Sequence, residues 1–346
     1  MTLPVLSMAR ARRETVVAGC RGACHDSTVD SLTSAAIDWL LRSSEPAIRL
    51  LARRDILGEP PDADASRIVS GPMVTALLSG QHADGGFGRD PYRKWTGVHW
   101  RLISLAELGV PPTDPRAAAA AERVLTWITR GLRQQPVVIG GLVRAHGSVQ
   151  GNALGACCRL GLAGDPRARH LAKSLISWQW PDGGWNCDRQ ATGYRSSFHE
   201  TLGAAWGLHE YGQATGDLAA RDAADRAAEL FLEHRLFRRL RMGEIIDSLW
   251  LKPRYPPYWH YDILQALLVL TRTGRVRDPR AADALDELER RRLPDGRWPA
   301  DGQWWKPADS SITPDVVGWG RSGEPNPMIT LNALRVLRAA SRLDTG

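Results

Sequence analysis

A chain of 346 residues has the material for a sizeable core, and 43% hydrophobic with 24% charged residues is a globular rather than a disordered composition. Its net charge of +7 is spread over helix faces of mixed sign with no nucleic-acid-reading motif, so nucleic acid is not an expected partner. No apolar run reaches the length of a membrane span and the first residues lack an apolar leader, so the expectation is no transmembrane segment and a cytoplasmic location, with the oligomeric state open.

Residues 1–28 show little periodicity and are expected to form a loose arm ahead of one domain over 29–346. Within the arm, "CRGACHD" offers Cys20, Cys24 and His25, ligand types for a soft metal, but it stands apart from the periodic helices. Five cysteines is an odd count, and Cys157 and Cys158 are adjacent, a poor basis for a disulfide framework.

From there the chain alternates between two kinds of helix. Segments near 45–57, 95–109, 149–162, 198–212, 259–274 and 326–340 are apolar nearly all round and rich in Ala, Gly and Leu, as enclosed helices are. Segments near 31–42, 65–81, 115–131, 166–178, 218–236 and 279–292 are more polar and amphipathic. "DPRA" recurs at Asp114, Asp165 and Asp278, each time an Asp cap with Pro at the first helical position. Aligning Leu105, Leu160, Leu208, Leu270 and Leu337 gives spacings of 55, 48, 62 and 67 residues, an irregular but continuous repeat. Six inner and six outer helices, alternating and with almost nothing that reads as strand, predict an all-α fold, an (α/α)6 toroid.

A second repeated element punctuates the first. "QHADGGFG" (81–88), "WQWPDGGWNCD" (178–188) and "RLPDGRWPADG" (292–302) each join a helix end to an Asp-Gly turn and an aromatic residue. Recurrence points to architecture: glycines for tight backbone geometry, and Gln and Trp bridging neighbouring outer helices. Asp182, Gly183, Gly184 and Trp185 are therefore read as structural.

These stretches resemble the Gln-Trp repeats of squalene–hopene cyclases and the Gly-Gly-Phe turns of protein prenyltransferase β subunits, over roughly residues 30–340. The resemblance implies a toroid whose central cavity holds an isoprenoid or similar apolar substrate, with or without a diphosphate or carboxylate. Class II terpene cyclases carry Asp-x-Asp-Asp-Thr at the start of an inner helix; "SFHET" stands there in this chain, with His199 and Glu200 in place of the paired aspartates. Prenyltransferases hold zinc through Asp-x-Cys and a later His, whereas "WNCD" presents Cys187 and Asp188 in the reverse order.

The first turns of the inner helices share one rim of the toroid, which places the candidate site there. His199, Glu200, His260 and Asp262 are the candidate catalytic groups. Lys94, Trp95, His99, Asn152, Trp206, Trp259, Tyr261 and Asn326, with Arg195 and Arg254 from the preceding loops, are the candidate substrate contacts. A ring of helix N-termini favours an anion. Two chemistries fit. Glu200 or Asp262 would be a desolvated acid that protonates a polyene, its carbocation steadied by Trp95, Trp206, Trp250 or Trp259. Alternatively, Cys187, His199 and His260 would hold zinc with an open position. A third possibility is a histidine–carboxylate network that only ties helices together in a non-catalytic binding protein. The Pro- and Trp-rich loops 250–262 and 301–327 are the expected walls of the cavity mouth.

Overall fold

In the computed structural model, residues 26–60, 63–130, 136–304 and 315–343 are described. The "CRGACH" stretch and all but the last three residues of the expected arm lie outside them; residues 26–28 already belong to the first helix.

The outer helices are α1 (Asp26–Leu41), α3 (Pro72–Leu78, led in by a 3-10 segment, Ala63–Ser70), α5 (Pro115–Arg130), α7 (Pro166–Trp178), α9 (Leu218–Glu233) and α11 (Ala282–Arg290). The inner helices are α2 (Pro46–Ala52), α4 (Val98–Glu107), α6 (Gly147–Cys157), α8 (Phe198–Thr215), α10 (Ile263–Arg272) and α12 (Pro327–Ala339). Both α2 and α6 run on into one π-helical turn, Arg53–Leu57 and Cys158–Leu162. Asp165 and Asp278 accept a backbone N–H two residues on and Pro follows each, so the repeated "DPRA" caps do what their sequence dictates. The one departure in type is a short hairpin, β1 (Val137–Ile139) with β2 (Leu142–Arg144), turning at Gly140–Gly141. Two consecutive positive-φ glycines set that turn, a signal hidden by the short strands.

Inner helices pack in sequence, α4 on α6, α6 on α8, α8 on α10 and α10 on α12; α12 then meets α2, and Leu51 on α2 lies beside Gly109 just past α4, completing the circuit. The tightest pair is α6 with α8. A Cβ at Gly151 would lie 2.1 Å from the Gly203 carbonyl oxygen, a backbone approach that only glycine permits. The repeated Asp-Gly turns close the outer layer. Gly85, Gly183 and Gly296 all have positive φ, and a Cβ on each would strike the carbonyl of Ala119 on α5, Arg226 on α9 and Leu32 on α1. Each turn therefore seats the end of one outer helix on the next, and the third seats the last outer helix on the first.

The flanking side chains complete the joint. The Gln81 amide donates to the carbonyls of Gly85 (3.2 Å) and Arg116 (2.9 Å), and the Gln179 amide to those of Gly183 (2.7 Å) and Ala223 (2.8 Å). Arg292 replaces Gln in the third copy, donating to Gly296 and to the Thr33 hydroxyl on α1. Trp185 and Trp298 are fully buried, and their indole N–H groups donate to Leu175 and Leu288, so each large ring is sealed without an orphaned donor. The turn that reads as architecture in the sequence is architecture in the fold.

Candidate functional site

The N-terminal rim of the inner helices, where the sequence places the site, is packed with rings. Trp95 stacks on Tyr258 at 4.1 Å, and its N–H donates to the Trp304 carbonyl. His260 stacks on Trp304 at 3.5 Å and on Trp259 at 3.9 Å. The Arg254 guanidinium lies 4.1 Å over Trp304, and the Lys94 ammonium is 5.3 Å from both Trp95 and Trp259. Loop 250–262 does reach the mouth as expected, with Tyr258, Trp259 and His260 stacked among the rings of this rim.

The candidate residues divide accordingly. His199 and His260 adjoin, with ring centroids 6.3 Å apart, whereas His99 packs among Tyr92, Trp100 and Trp127. Burial depresses both His99 and His260 to a pKa of about 3, and neither is a cation at neutral pH. His199 Nδ1 accepts the Tyr261 N–H at 2.8 Å. Helix α10 begins at Ile263, not 259, because the Asp262 carboxylate caps it through the Gln265 N–H. Tyr261 instead turns toward the outer layer: its hydroxyl donates to the Leu236 carbonyl and its ring packs on Phe198 and Phe231. Asn326 is fully committed as the α12 cap, accepting from Met328 and Ile329 and donating to Trp319. Asn152 donates to the Tyr258 carbonyl, tying loop 250–262 to α6. Arg195 is exposed and rests against Tyr194.

The two candidate acids part ways. Burial raises Asp262 to a pKa of about 7 against the pull of the Gln265 and Arg254 N–H groups. Burial also pushes Glu200 up, but bonds from His146, the Ser148 amide and hydroxyl, and Cys187 outweigh it and hold the carboxylate ionised. Glu200 is an anchored anion, not a poised acid. Nor does Cys187 join His199 and His260: it meets His146 and Glu200, all three ligand atoms lying within 4.8 Å of one another.

Open space lies at the other end. A cavity of about 800 Å³ enters the ring between the C-terminal ends of α2, α4, α6, α10 and α12. Leu51, Ala106, Val110, Leu268 and Met328 form an apolar wall. Five arginines, 54, 159, 272, 335 and 338, face two carboxylates, Asp55 and Glu107. Most of this charge is committed. Asp55 accepts from Arg335 Nε at 2.8 Å and from Arg54 Nε at 2.5 Å, and its carbonyl takes Arg338 at 2.6 Å. Arg159 pairs with Glu210 at 2.7 Å, and Glu210 also accepts the Trp206 N–H at 2.8 Å.

Arg272 differs. Among the described residues nothing hydrogen-bonds or ion-pairs with its guanidinium, which lies 5.8 Å from the Trp206 ring and feels Glu210 and Glu107 at longer range. Burial lowers its pKa to about 10, and it remains a cation facing the cavity. Glu107 is its counterpart. Burial raises this carboxyl against the Tyr255 hydroxyl, which donates at 2.9 Å, and against Arg272, Arg159 and Arg335. Trp206 is thus the one predicted contact that reaches this end, and the cation it meets belongs to the protein. The electropositive character expected of helix N-termini is supplied here by side chains at helix C-termini.

A repeat-level signal could have found this site. Counting two residues beyond the aligned leucines 105, 208 and 270 gives Glu107, Glu210 and Arg272, charges at one repeat position inside otherwise apolar helices.

No protein-family model matches the chain, and no curated protein matches it either. Its backbone is similar to solved structures across most of its length. A protein from Actinoplanes shares 18% identity over 90% of this chain and 99% of that one, with a TM-score of 0.45. The type II terpene cyclase MstE from Scytonema shares 18% identity over 92% and 99%, with a TM-score of 0.43. A variant of that cyclase in complex with geranylgeranyl dihydroxybenzoate shares 15% over 92% and 98%, with a TM-score of 0.44. The chemistry of the site rests on this chain's own residues. No helix among the described residues is long and apolar enough to cross a membrane.

Proposed function

We propose that the chain is an enzyme of the terpene cyclase-like class that takes an isoprenoid or similar amphiphile with an anionic group into the C-terminal cavity. The observation that carries the reading is one cavity that brings together an uncommitted cation at Arg272, a carboxyl raised by burial at Glu107 and an apolar wall. A diphosphate or carboxylate would pair with Arg272, and the hydrocarbon would lie along Leu51, Val110, Leu268 and Met328. Glu107 accepts the Tyr255 hydroxyl on Oε2, which leaves Oε1 to carry a proton. That proton would add to an alkene carbon, the resulting cation would close a ring, and loss of a proton to the same carboxylate would restore the enzyme. The arginines near Glu107 favour its carboxylate form and so make it a more willing donor than burial alone would allow.

The test separates binding from chemistry. Arg272→Met should weaken geranylgeranyl diphosphate binding, measured calorimetrically, by about tenfold or more, the worth of one charge-assisted hydrogen bond. Glu107→Gln should keep the affinity and abolish conversion to cyclic product. Full turnover in Glu107→Gln would sink the acid role, and unchanged affinity in Arg272→Met would sink the anion pairing. A second reading is a non-catalytic binding protein, favoured by the absence of any aromatic side chain among the residues lining the cavity. Tight binding with no turnover of prenyl substrates by the unaltered protein would select it.

A further inference from the structure

At the opposite rim, His146, Cys187 and Glu200 form a cluster that the proposed chemistry does not use. We propose that it is a metal site for one borderline-soft divalent cation of the zinc class, with these three side chains as ligands and the fourth position open to solvent.

The cluster is assembled by parts of the fold that have no other reason to meet. Cys187 follows the second Asp-Gly turn. His146 lies between β2 and α6, where the Ala145 N–H donates to the Asn186 carbonyl at 3.0 Å and Arg144 bridges Asn186, aligning the two segments side by side. Glu200 comes from the first turn of α8 and is oriented before any ion arrives. Its Oε2 accepts the Ser148 N–H at 2.9 Å and the Ser148 hydroxyl at 2.8 Å, which turns Oε1 toward His146 Nδ1 at 3.7 Å. A ligand carboxylate held by partners on its other oxygen is how metal sites are oriented.

Donor type and spacing select the ion. One thiol sulfur, one imidazole nitrogen and one carboxylate oxygen suit zinc and its borderline neighbours, whereas magnesium and calcium take oxygen donors throughout. Ligands about 2.0–2.3 Å from a tetrahedral ion lie within roughly 4 Å of one another. The observed spread of at most 4.8 Å is close to that, and the His146 side chain is 45% exposed, so solvent reaches the cluster on its side. Binding forms an S–metal bond at Cys187 and releases the thiol proton to solvent. Three protein ligands and a solvent-facing fourth position is the pattern of a site that exchanges a ligand. This inference does not depend on the cavity at the other rim.

Cobalt(II) is the probe, because a thiolate ligand gives it a near-ultraviolet charge-transfer band and four-coordination gives it intense visible bands. The full chain is chelator-washed and titrated in a Cys20→Ser/Cys24→Ser background, which leaves the buried Cys157 and Cys158 as the thiols besides Cys187. One equivalent of cobalt should produce both bands, and zinc should bleach them. Cys187→Ser should lose the charge-transfer band, and His146→Asn and Glu200→Gln should weaken binding at least tenfold. His146→Asn removes one contact of a half-exposed ring while Ser148 still anchors Glu200, so its metal-free melting temperature should stay within a few degrees of the background chain. Absence of the bands, their survival in Cys187→Ser, or unchanged affinity in a folded His146→Asn would overturn the proposal.

Discussion

At the scale of residues, burial decides what each ionisable group can do, and neighbours decide whether it does. Asp262 and Glu200 are both buried carboxyls at the starts of helices, yet the first is raised to about 7 and the second held below its ordinary value, because only Glu200 gathers side-chain donors from three neighbours. Asp262 therefore writes a pH dependence into stability. The unfolded carboxyl releases its proton near 3.8 and the folded one near 7, so the native state binds more protons between these values. Stability should fall as pH rises from about 4 to about 7 and then level off. Asp262→Asn retains a capping side chain and should remove that slope. The measurement is thermal unfolding of both proteins across this window; parallel curves would refute the assignment. Asp315, also raised to about 7 by burial, adds a slope of its own that remains in the variant. None of this contrast was legible in sequence, where "HET" and "YDI" present two acids in similar apolar settings. Side-chain partners from other helices separate them.

At the scale of elements, nearly all helices could be read in advance, because their information is local. "DPRA" supplies cap and first-turn proline within four residues, and an all-round apolar helix declares its burial by composition. What escaped was equally local in cause: α10 starts after residues 259–261, because Asp262 caps it, and the Gly140–Gly141 hairpin is too short for a strand pattern to show. The Asp-Gly turns allow a direct test of their role. Gly80 and Gly296 both have positive φ, but a Cβ at Gly80 meets nothing within 4 Å and one at Gly296 meets the Leu32 carbonyl at 2.1 Å. Gly80→Ala should cost about 1 kcal/mol of backbone strain. Gly296→Ala should cost roughly 3 kcal/mol or more, since the turn must also back away from α1. Equal losses in denaturant unfolding would mean that the seam between the last and first outer helices contributes little.

At the scale of the molecule, the cavity of the proposed site is walled by helices that meet where α12 packs against α2. Arg54 and Asp55 at the end of α2 and Arg335 and Arg338 at the end of α12 are far apart in sequence, and each reads locally as an ordinary basic or acidic helix terminus. Closure brings them into one wall, which is why the arginines went unrecognised while the more conspicuous histidines drew attention. Asp55 holds both ends of this junction, so Asp55→Asn should act in two opposite senses. It should destabilise the fold by about 2 kcal/mol or more by leaving Arg335 without its counter-ion, and it should strengthen anion binding several-fold by freeing positive charge. Thermal melts with and without pyrophosphate read both, and a loss of stability that pyrophosphate does not offset more strongly than in the unaltered chain would contradict the second. The seat of Gly296 on α1 has a consequence for biosynthesis. As the chain leaves the ribosome, α1 is made more than 250 residues ahead of the turn that seats on it. Helix α1 can pack on α2 as soon as both are made, but the Leu32 carbonyl that receives the turn stays without it until the last Asp-Gly turn has been synthesised.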